Sequence, residues 1–320
     1  MNAPTVRLGT RSSPMALAQA HLVADLLRKQ QPDLTVELVP VTTEADRWHG
    51  DLSKLGGKGL FVKQIDVMLQ RGDVDLAVHC VKDMPGDTPL PDGLAIAAHL
   101  PRDDVRDVLL FPAGSPRAAL GDLPHGAVVA TSAVRRAAQL RRLRPDLEIV
   151  RVRGAVGTRI DKLDGRTPVD TAPPDAMVLA ASGLARLELT DRGRQVFTVD
   201  EILPAVGSGA LGLECRADDT ATAGLLARLD HARTTAEVGA ERAMLHALRG
   251  HCNSPIAGHC TTTADGRLTL RGMVFSADGG TVVDARRTAA AGDTPAALGA
   301  RVAADLLAGG ARAVIEAIPH

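Results

Sequence analysis

Strand-like and helix-like segments alternate along the first 180 residues, and this order constrains the fold more than any other feature. Ser13 and Pro14 stand where a helix N-cap and first turn belong, directly after an apolar strand-like run. Parallel strands require long crossover connections, usually helices. The alternation therefore predicts a mainly parallel sheet with helices on both faces. The segments are strands at 5–10, 34–41 and 75–80 and helices at 14–30 and 60–72.

The pattern restarts near residue 103, and the second series resembles the first. Pro32-Asp33-Leu34 and Pro145-Asp146-Leu147 hold the same place in the two series. This internal similarity predicts two similar α/β domains. The alternative is that any two β-α-β units look alike. The second series comprises strands at 127–132, 146–154 and 176–182 and helices at 133–144 and 155–163.

A different pattern begins near residue 222. Two strand-like runs, 267–276 and 280–289, are separated by Asp278-Gly279-Gly280, a hairpin signal. Helices are predicted before and after them, at 222–230, 234–249 and 295–309. These elements predict a small third domain of the α+β class.

Composition excludes several classes of partner. Lys and Arg number 37 against 38 Asp and Glu, and aromatic residues make up only 2% of the chain. Such a chain is a poor candidate for nucleic-acid binding, which uses basic surfaces and stacking aromatics. No apolar run resembles a signal peptide or a membrane span. Four cysteines fit free thiols in the cytoplasm, where we expect the protein, with no membrane partner.

Cationic and hydroxyl side chains follow the predicted strands where each strand ends. Ligands bind beyond the carboxyl ends of strands in open parallel sheets. Arginine near a helix N-terminus opposes the helix dipole, so this many arginines favour a site for an anionic ligand. The alternative is a solvated surface. The residues are Arg11, Ser12, Ser13, Lys82, Asp83, Thr131, Ser132, Arg135, Arg136, Arg153, Arg159, Ser182 and Arg186.

One carboxylate lies among these cations. Asp83 is the acidic residue of the stretch HCVKDMPG, and cationic neighbours should keep it ionised. It could stabilise a developing cation or move a proton. Alternatively, it caps the turn before Pro85.

Two conspicuous stretches do not support the obvious interpretations. KLGGKGLF lacks the Walker A spacing and instead predicts a cationic lid. HCNSPIAGHC, residues 251–260, is a weak zinc motif, because adjacent His-Cys pairs chelate poorly and His259 and Cys260 would face opposite sides of a strand. We expect no metal site, and Cys80 and Cys215 should be small buried residues.

The chain resembles the porphobilinogen deaminase (hydroxymethylbilane synthase) family over nearly its full length. The matching stretches include LGTRSSPMALAQA, KLGGKGLFVK, DLAVHCVKDMP, RDDVRDVLL, TSAVRRAAQL, VRGAVGTRIDKL, DAMVLAASGLARL, LPAVGSGALGLECR and RGHCNSPIAG. The resemblance implies a transferase that joins four porphobilinogen molecules head to tail into hydroxymethylbilane and releases ammonia. It also implies a dipyrromethane cofactor held on a cysteine thioether.

The resemblance also implies roles for individual residues. Cys252 would carry the cofactor and Asp83 would be the catalytic residue. Other cofactor-binding residues would be Lys82, Asp83, Thr131, Ser132, Arg135, Arg136 and Arg153. Substrate would meet Arg11, Ser13, Gln19, Arg153, Arg159 and Arg186, with Asp46 also lining the site. Lys54, Lys58 and Phe61 would belong to a mobile loop over it.

The implied fold is two similar periplasmic-binding-protein-like α/β domains with mainly parallel sheets, plus the small α+β C-terminal domain. The expected domains are residues 1–102 with 204–221, residues 103–203, and residues 222–320, and the expected state is a monomer. Five residues depart from the family's pattern: Glu44, Cys80, Ala133, Ala155 and Ser208. Two alternatives therefore stay open, a divergent paralogue acting on a related pyrrole and a non-catalytic binding module of periplasmic type.

Overall fold

Two five-stranded sheets with the same strand arrangement form most of the structure. The structure is a computed structural model that describes residues 4–41, 62–169, 173–250 and 254–317. The elements of the first sheet and its helices begin with β1 (Thr5–Arg11), α1 (Pro14–Gln30), β2 (Thr35–Val41), α2 (Lys63–Arg71), β3 (Leu76–Cys80) and β4 (Leu94–His99). The second sheet is built from β5 (Asp107–Leu110), β6 (Val128–Ala130), α3 (Val134–Leu143), β7 (Glu148–Val150), α4 (Val156–Leu163), β8 (Ala176–Ala180), α5 (Ala181–Arg186) and β9 (Gly193–Val196).

The chain then returns to the first sheet through β10 (Leu211–Arg216) and α6 (Thr220–Ala227). The strand orders are β2-β1-β3-β10-β4 and β7-β6-β8-β5-β9. In each sheet the fourth strand, β10 or β5, runs antiparallel to both neighbours, and the first three strands pair in parallel. The predicted α/β class with mainly parallel sheets is confirmed, and the internal similarity extends to the whole strand order.

Helices cover both faces of the first sheet, as the alternation predicts. The apolar side of α1, including Val23 and Leu27, packs on Leu8 and Val78. On the opposite face, α2 contributes Ile65 and Leu69 to a second cluster. The predicted N-cap of α1 is confirmed, since the Ser13 side chain accepts a hydrogen bond from the backbone N–H of Ala16 at 3.3 Å.

Two neighbouring chain segments connect the sheets. One leads from β4 to β5 and the other from β9 to β10. The N–H of Asp103 donates to the carbonyl of Gly209 at 3.1 Å, and Arg102 Nε donates to the carbonyl of Ser208 at 2.9 Å. Gly209 has φ +75°, and a Cβ there would overlap with the Asp103 carbonyl oxygen, so only glycine fits this crossing.

The C-terminal unit is the predicted α+β domain. It consists of α7 (Ala232–Ala247), β11 (Ile256–Thr262), β12 (Leu268–Phe275), β13 (Val282–Thr288), α8 (Pro295–Ala308) and α9 (Ala311–Glu316). The three strands form an antiparallel sheet, and β12 and β13 are the predicted hairpin. Within the ranges that the structure describes, no helix is long and apolar enough to cross a membrane.

Candidate active site

The turn after β3 carries the predicted carboxylate. Lys82 and Asp83 lie on a single 3-10 turn, Val81–Asp83, with Lys82 half-buried and Asp83 exposed. The Val81 N–H donates to the carbonyl of Ala210 at 3.1 Å. Gly207, at φ +73°, lies so close to this turn that a Cβ on it would stand 2.9 Å from the backbone nitrogen of Lys82. The loop before β10 therefore fixes the position of the Asp83 turn.

Arg159 of the second sheet's unit lies within electrostatic range of two further arginines, Arg136 and Arg153, and of Asp83. Burial lowers the pKa of Arg159 to about 10, the positive charges of Arg136 and Arg153 lower it too, and the negative charge of Asp83 raises it. These four groups come from α3, α4, the β7–α4 connection and the β3 turn. Even with Asp107, which Arg136 shares with Arg135, four arginines outnumber two carboxylates here, and this local excess of positive charge suits a ligand with several carboxylates.

Arg135 and Arg136 share one buried carboxylate, Asp107, at the start of β5. Their Nη2 atoms lie 2.8 and 2.7 Å from its two oxygens, and Arg135 also donates to the carbonyl of Leu203 at 2.6 Å. Burial would raise the pKa of Asp107, but the two guanidinium groups hold it far below its usual range. Asp107 was not predicted as a functional residue. It fixes both arginines at the first turn of α3.

Arg186 and Gln19 meet at Cys80, the last residue of β3. Gln19 Nε2 lies 3.0 Å and Arg186 Nη1 3.4 Å from Cys80 Sγ. Arg186 also contacts Asp103 at 2.7 Å and donates to the carbonyl of Gly209 at 3.1 Å. Arg186 thus connects α5 to β3 and to the two segments that join the sheets, β4–β5 through Asp103 and β9–β10 through Gly209. Burial raises the pKa of the Cys80 thiol, so it serves as a neutral acceptor here.

The predicted hydroxyl residues have local hydrogen bonds. Ser132 Oγ donates to the carbonyl of Val152, and Thr131 Oγ1 accepts from the N–H of Ala133 at 3.3 Å. Ser13 is the N-cap of α1. Arg11 ends β1 in the same sheet as Cys80. The predicted residues Glu44, Asp46, Lys54, Lys58, Phe61 and Cys252 lie outside the described residues.

The C-terminal unit contacts the chain just beyond Asp83. Arg242 Nη2 donates to the carbonyl of Pro85 at 2.9 Å. A Cβ on Gly86 would lie 3.1 Å from the carbonyl oxygen of Gly250. Gly250, two residues before Cys252 in the sequence, is therefore packed close to the segment that follows Asp83.

The fold and the site define a class of protein: two like α/β units and a small third unit, with arginines gathered around one exposed carboxylate for a polycarboxylate ligand. Two family models match, "Porphobilinogen deaminase, dipyromethane cofactor binding domain" over residues 6–224 and "Porphobilinogen deaminase, C-terminal domain" over residues 235–308. The chain belongs to the porphobilinogen deaminase family, as the sequence motifs predict. The excess of arginine over carboxylate at the site fits the carboxylate side chains of a dipyrromethane.

Curated relatives agree with this assignment over the full length. Porphobilinogen deaminase 2 of Streptomyces coelicolor is 46% identical and covers 100% of this chain and 99% of the relative. Porphobilinogen deaminase of Syntrophotalea carbinolica is 45% identical, covering 99% of this chain and 97% of the relative. These comparisons do not favour the divergent-paralogue or binding-module alternatives.

The solved structures found by comparison are much more distant. The aliphatic sulphonate-binding protein SsuA from Escherichia coli has a TM-score of 0.38 and 16% identity, covering 77% of this chain and 70% of that chain. SsuA from Methylobacillus flagellatus has the same TM-score and identity, covering 78% and 68%. The strand order described above, rather than these low scores, defines the fold.

Proposed function

We propose that this chain is a hydroxymethylbilane synthase that condenses four porphobilinogen molecules head to tail on a dipyrromethane carried by Cys252. The observation that carries the proposal is that Arg136, Arg153 and Asp83 all lie within electrostatic range of Arg159, with Arg136 fixed at the first turn of α3 by Asp107. Each pyrrole unit brings two carboxylates, so a growing chain needs several cations along one cleft.

The residues around this space divide the binding between them. Cofactor carboxylates would be held by Lys82, Arg136 and Arg153, with Thr131 and Ser132 nearby and Arg135 fixing Arg136 through Asp107. Incoming substrate would meet Arg11, Arg153 and Arg159. Arg186, Gln19 and Ser13 would also contact the substrate, and their partners Asp103, Cys80 and the N-terminus of α1 would hold them in place. When bound, the dipyrromethane supplies the pyrrole carbon at which chain growth starts.

Asp83 provides the charge for the chemical step. The amino group of the porphobilinogen aminomethyl side chain leaves as ammonia, which breaks the C–N bond and leaves an electron-poor methylene carbon on the pyrrole. The exposed carboxylate of Asp83, near the substrate's pyrrole N–H, stabilises the positive charge that develops. A C–C bond then forms and the attacked pyrrole carbon loses a proton, which balances the departing ammonia. Tethering the chain turns each addition into a reaction at high effective concentration.

The domain organisation and cellular setting belong to the same proposal. Residues 1–102 with 204–221 would form the first domain, 103–203 the second and 222–320 the third, supported by the return of β10 to the first sheet. Lys54, Lys58 and Phe61 would belong to a loop over the cleft. We expect a cytoplasmic monomer.

Product analysis tests the proposed activity. The purified protein is incubated with porphobilinogen, the product is oxidised in acid, and uroporphyrin is measured by absorbance. Uroporphyrin formation at a rate proportional to enzyme supports the proposal. Protein that binds porphobilinogen without consuming it would indicate a binding module. Consumption without uroporphyrin would indicate a different pyrrole product.

A further inference from the structure

Three metal-ligating side chains meet beneath α2, on a face of the first sheet that the proposed chemistry does not use. They are Asp66 of α2, His79 of β3 and Glu214 of β10, all buried, with exposures of 7%, 5% and 1%. In the antiparallel β3–β10 pair, His79 lies opposite Gly212, so Glu214 is its diagonal neighbour on the same face. Helix α2 covers this face and brings Asp66 to it.

The three groups converge, and His79 and Glu214 form an ion pair whose atoms lack hydrogen-bond geometry. One ligand atom from each lies within 4.8 Å of the other two, and His79 Nε2 is 2.8 Å from Glu214 Oε2. Despite this short distance, His79 Nε2 and both carboxylate oxygens of Glu214 are buried without a hydrogen bond in the described structure. Their orientation therefore suits a shared central ion better than a direct hydrogen bond.

The apolar surroundings of this cluster make it unfavourable to bury its charged carboxylates. Ile65, Leu69 and Ala77 pack around it. Two buried carboxylates beside a single imidazole are unfavourable in such an environment. A divalent cation would neutralise both.

We propose that Asp66, His79 and Glu214 form a binding site for a divalent transition-metal ion of the zinc type. One imidazole nitrogen with carboxylate oxygens is a donor set that Zn²⁺ accepts, at bond lengths of about 2.0–2.2 Å. Both oxygens of Glu214 are available, so the three residues can supply four donor atoms. The expectation of no metal came from the weak zinc motif HCNSPIAGHC. Asp66, His79 and Glu214 lie far apart along the chain and form no spacing motif.

The metal would have a positioning role. It would join α2 to β3 and β10, and β3 leads directly through Cys80 into the Asp83 turn. Because it lies in the buried layer behind that turn, it would stabilise the fold without contacting substrate.

Metal content tests the proposal on the full-length protein. After treatment with a chelator, loading with Zn²⁺ and dialysis, wild type should retain one equivalent by inductively coupled plasma mass spectrometry and unfold at a higher temperature than the chelated protein. His79→Gln and the milder Asp66→Asn should each bind at least about tenfold more weakly. His99→Gln, a histidine of β4 outside the cluster, is the matched control and should bind as wild type does.

Cobalt distinguishes this site from adventitious binding by thiols. Co²⁺ in the proposed site should give visible d–d bands without a thiolate-to-metal charge-transfer band, since none of the three ligands is cysteine. Folded wild type that retains no metal overturns the proposal. Equal metal content in wild type and both cluster variants overturns it too, as does a thiolate band.

Discussion

The backbone at Gly86 packs against the carbonyl of Gly250, at a distance that leaves no room for a side chain on residue 86. A Cβ there would lie 3.1 Å from that oxygen and would overlap with the Leu245 side chain. Gly86 follows the Asp83 turn, and Gly250 precedes the cysteine proposed to carry the cofactor. This contact connects the two parts of the proposed site.

Substituting Gly86→Ala should separate these two segments. The added methyl group has to displace Leu245 and a backbone carbonyl, and overpacking of this kind costs about 1–3 kcal/mol. We expect the rate of porphobilinogen consumption to fall by roughly tenfold or more, because small displacements of reacting groups are expensive. Gly224→Ala, which places a methyl group where nothing lies within 4 Å, should keep the wild-type rate. Equal rates in both variants would show that the contact is unimportant for catalysis.

Asp83→Asn should remove the charge that promotes deamination and leave the fold intact, since Asp83 is exposed. We expect kcat to fall by about 10²–10³-fold, the magnitude found when a group that stabilises a transition state is removed. The bound cofactor should remain visible by mass spectrometry. Asp92→Asn, at another exposed aspartate, should behave as wild type does. Normal turnover by the Asp83 variant would refute its catalytic role.

Arg159 should make substrate binding sensitive to alkaline pH. Burial and the charges of Arg136 and Arg153 lower the pKa of Arg159 to about 10, so the guanidinium loses its proton as the pH rises through that value. Carboxylates bind the charged form, and KM should therefore rise with pH in this window. Arg159→Gln should have a raised KM already at neutral pH and a weaker alkaline rise. Arg166→Gln, an arginine paired with Asp161 and Asp164, is the control. An unchanged alkaline profile in the Arg159 variant would contradict the assignment.

Glu241 should be the acid-sensitive centre of the junction between the three units. It is fully buried, contacts Arg102 at 2.8 Å, and accepts backbone N–H bonds from Gly207 and Cys260 at 2.7 Å each. Glu241→Gln leaves Arg102 with only the more distant Glu237, at 3.9 Å, and should lower the free energy of unfolding at neutral pH by up to about 3–5 kcal/mol. Glu148→Gln, on the exposed side of β7, should cost little.

The effect of Glu241 should depend on pH. Burial would raise the pKa of Glu241, but Arg102 and His259 outweigh it and hold it at about 2, against an ordinary value of 4.5. A lowered pKa of an acid stabilises the fold above the unfolded-state value and loses that effect as the pH falls toward 2. The stability difference between wild type and Glu241→Gln should therefore narrow in denaturant titrations from pH 5 down to about 2. A constant difference would contradict this interpretation.

Local sequence signals predicted many of the helices and strands, but they did not predict long-range contacts. Ser13 and Pro14 predicted the start of α1, and Asp278-Gly279-Gly280 predicted the β12–β13 hairpin. The antiparallel strands β5 and β10 were not predicted, because each stands outside the strand–helix alternation and pairs with distant parts of the chain. No sequence spacing connects Arg102 with Glu241.

The strand-end rule and the family motifs named the residues of the candidate site. The partners of its arginines became visible only in the structure. Arg135 and Arg136 share the single carboxylate of Asp107, and Asp103 pairs with Arg186, so their surroundings differ from those of Arg159. Asp107 stands within the motif RDDVRDVLL, the one sequence signal that pointed to it. Its buried pairing with α3 is a tertiary contact that neither periodicity nor composition specifies.

The covalent attachment of the cofactor is the central claim, and intact-mass spectrometry of the denatured protein tests it most directly. Wild type should show a mass above that of its 320-residue chain by two linked pyrrole units, while Cys252→Ser should show the mass of the chain alone. Cys260→Ser, at a buried cysteine of β11, should keep the added mass. A wild-type mass equal to that of the bare chain, or an added mass that survives in Cys252→Ser, would contradict the account.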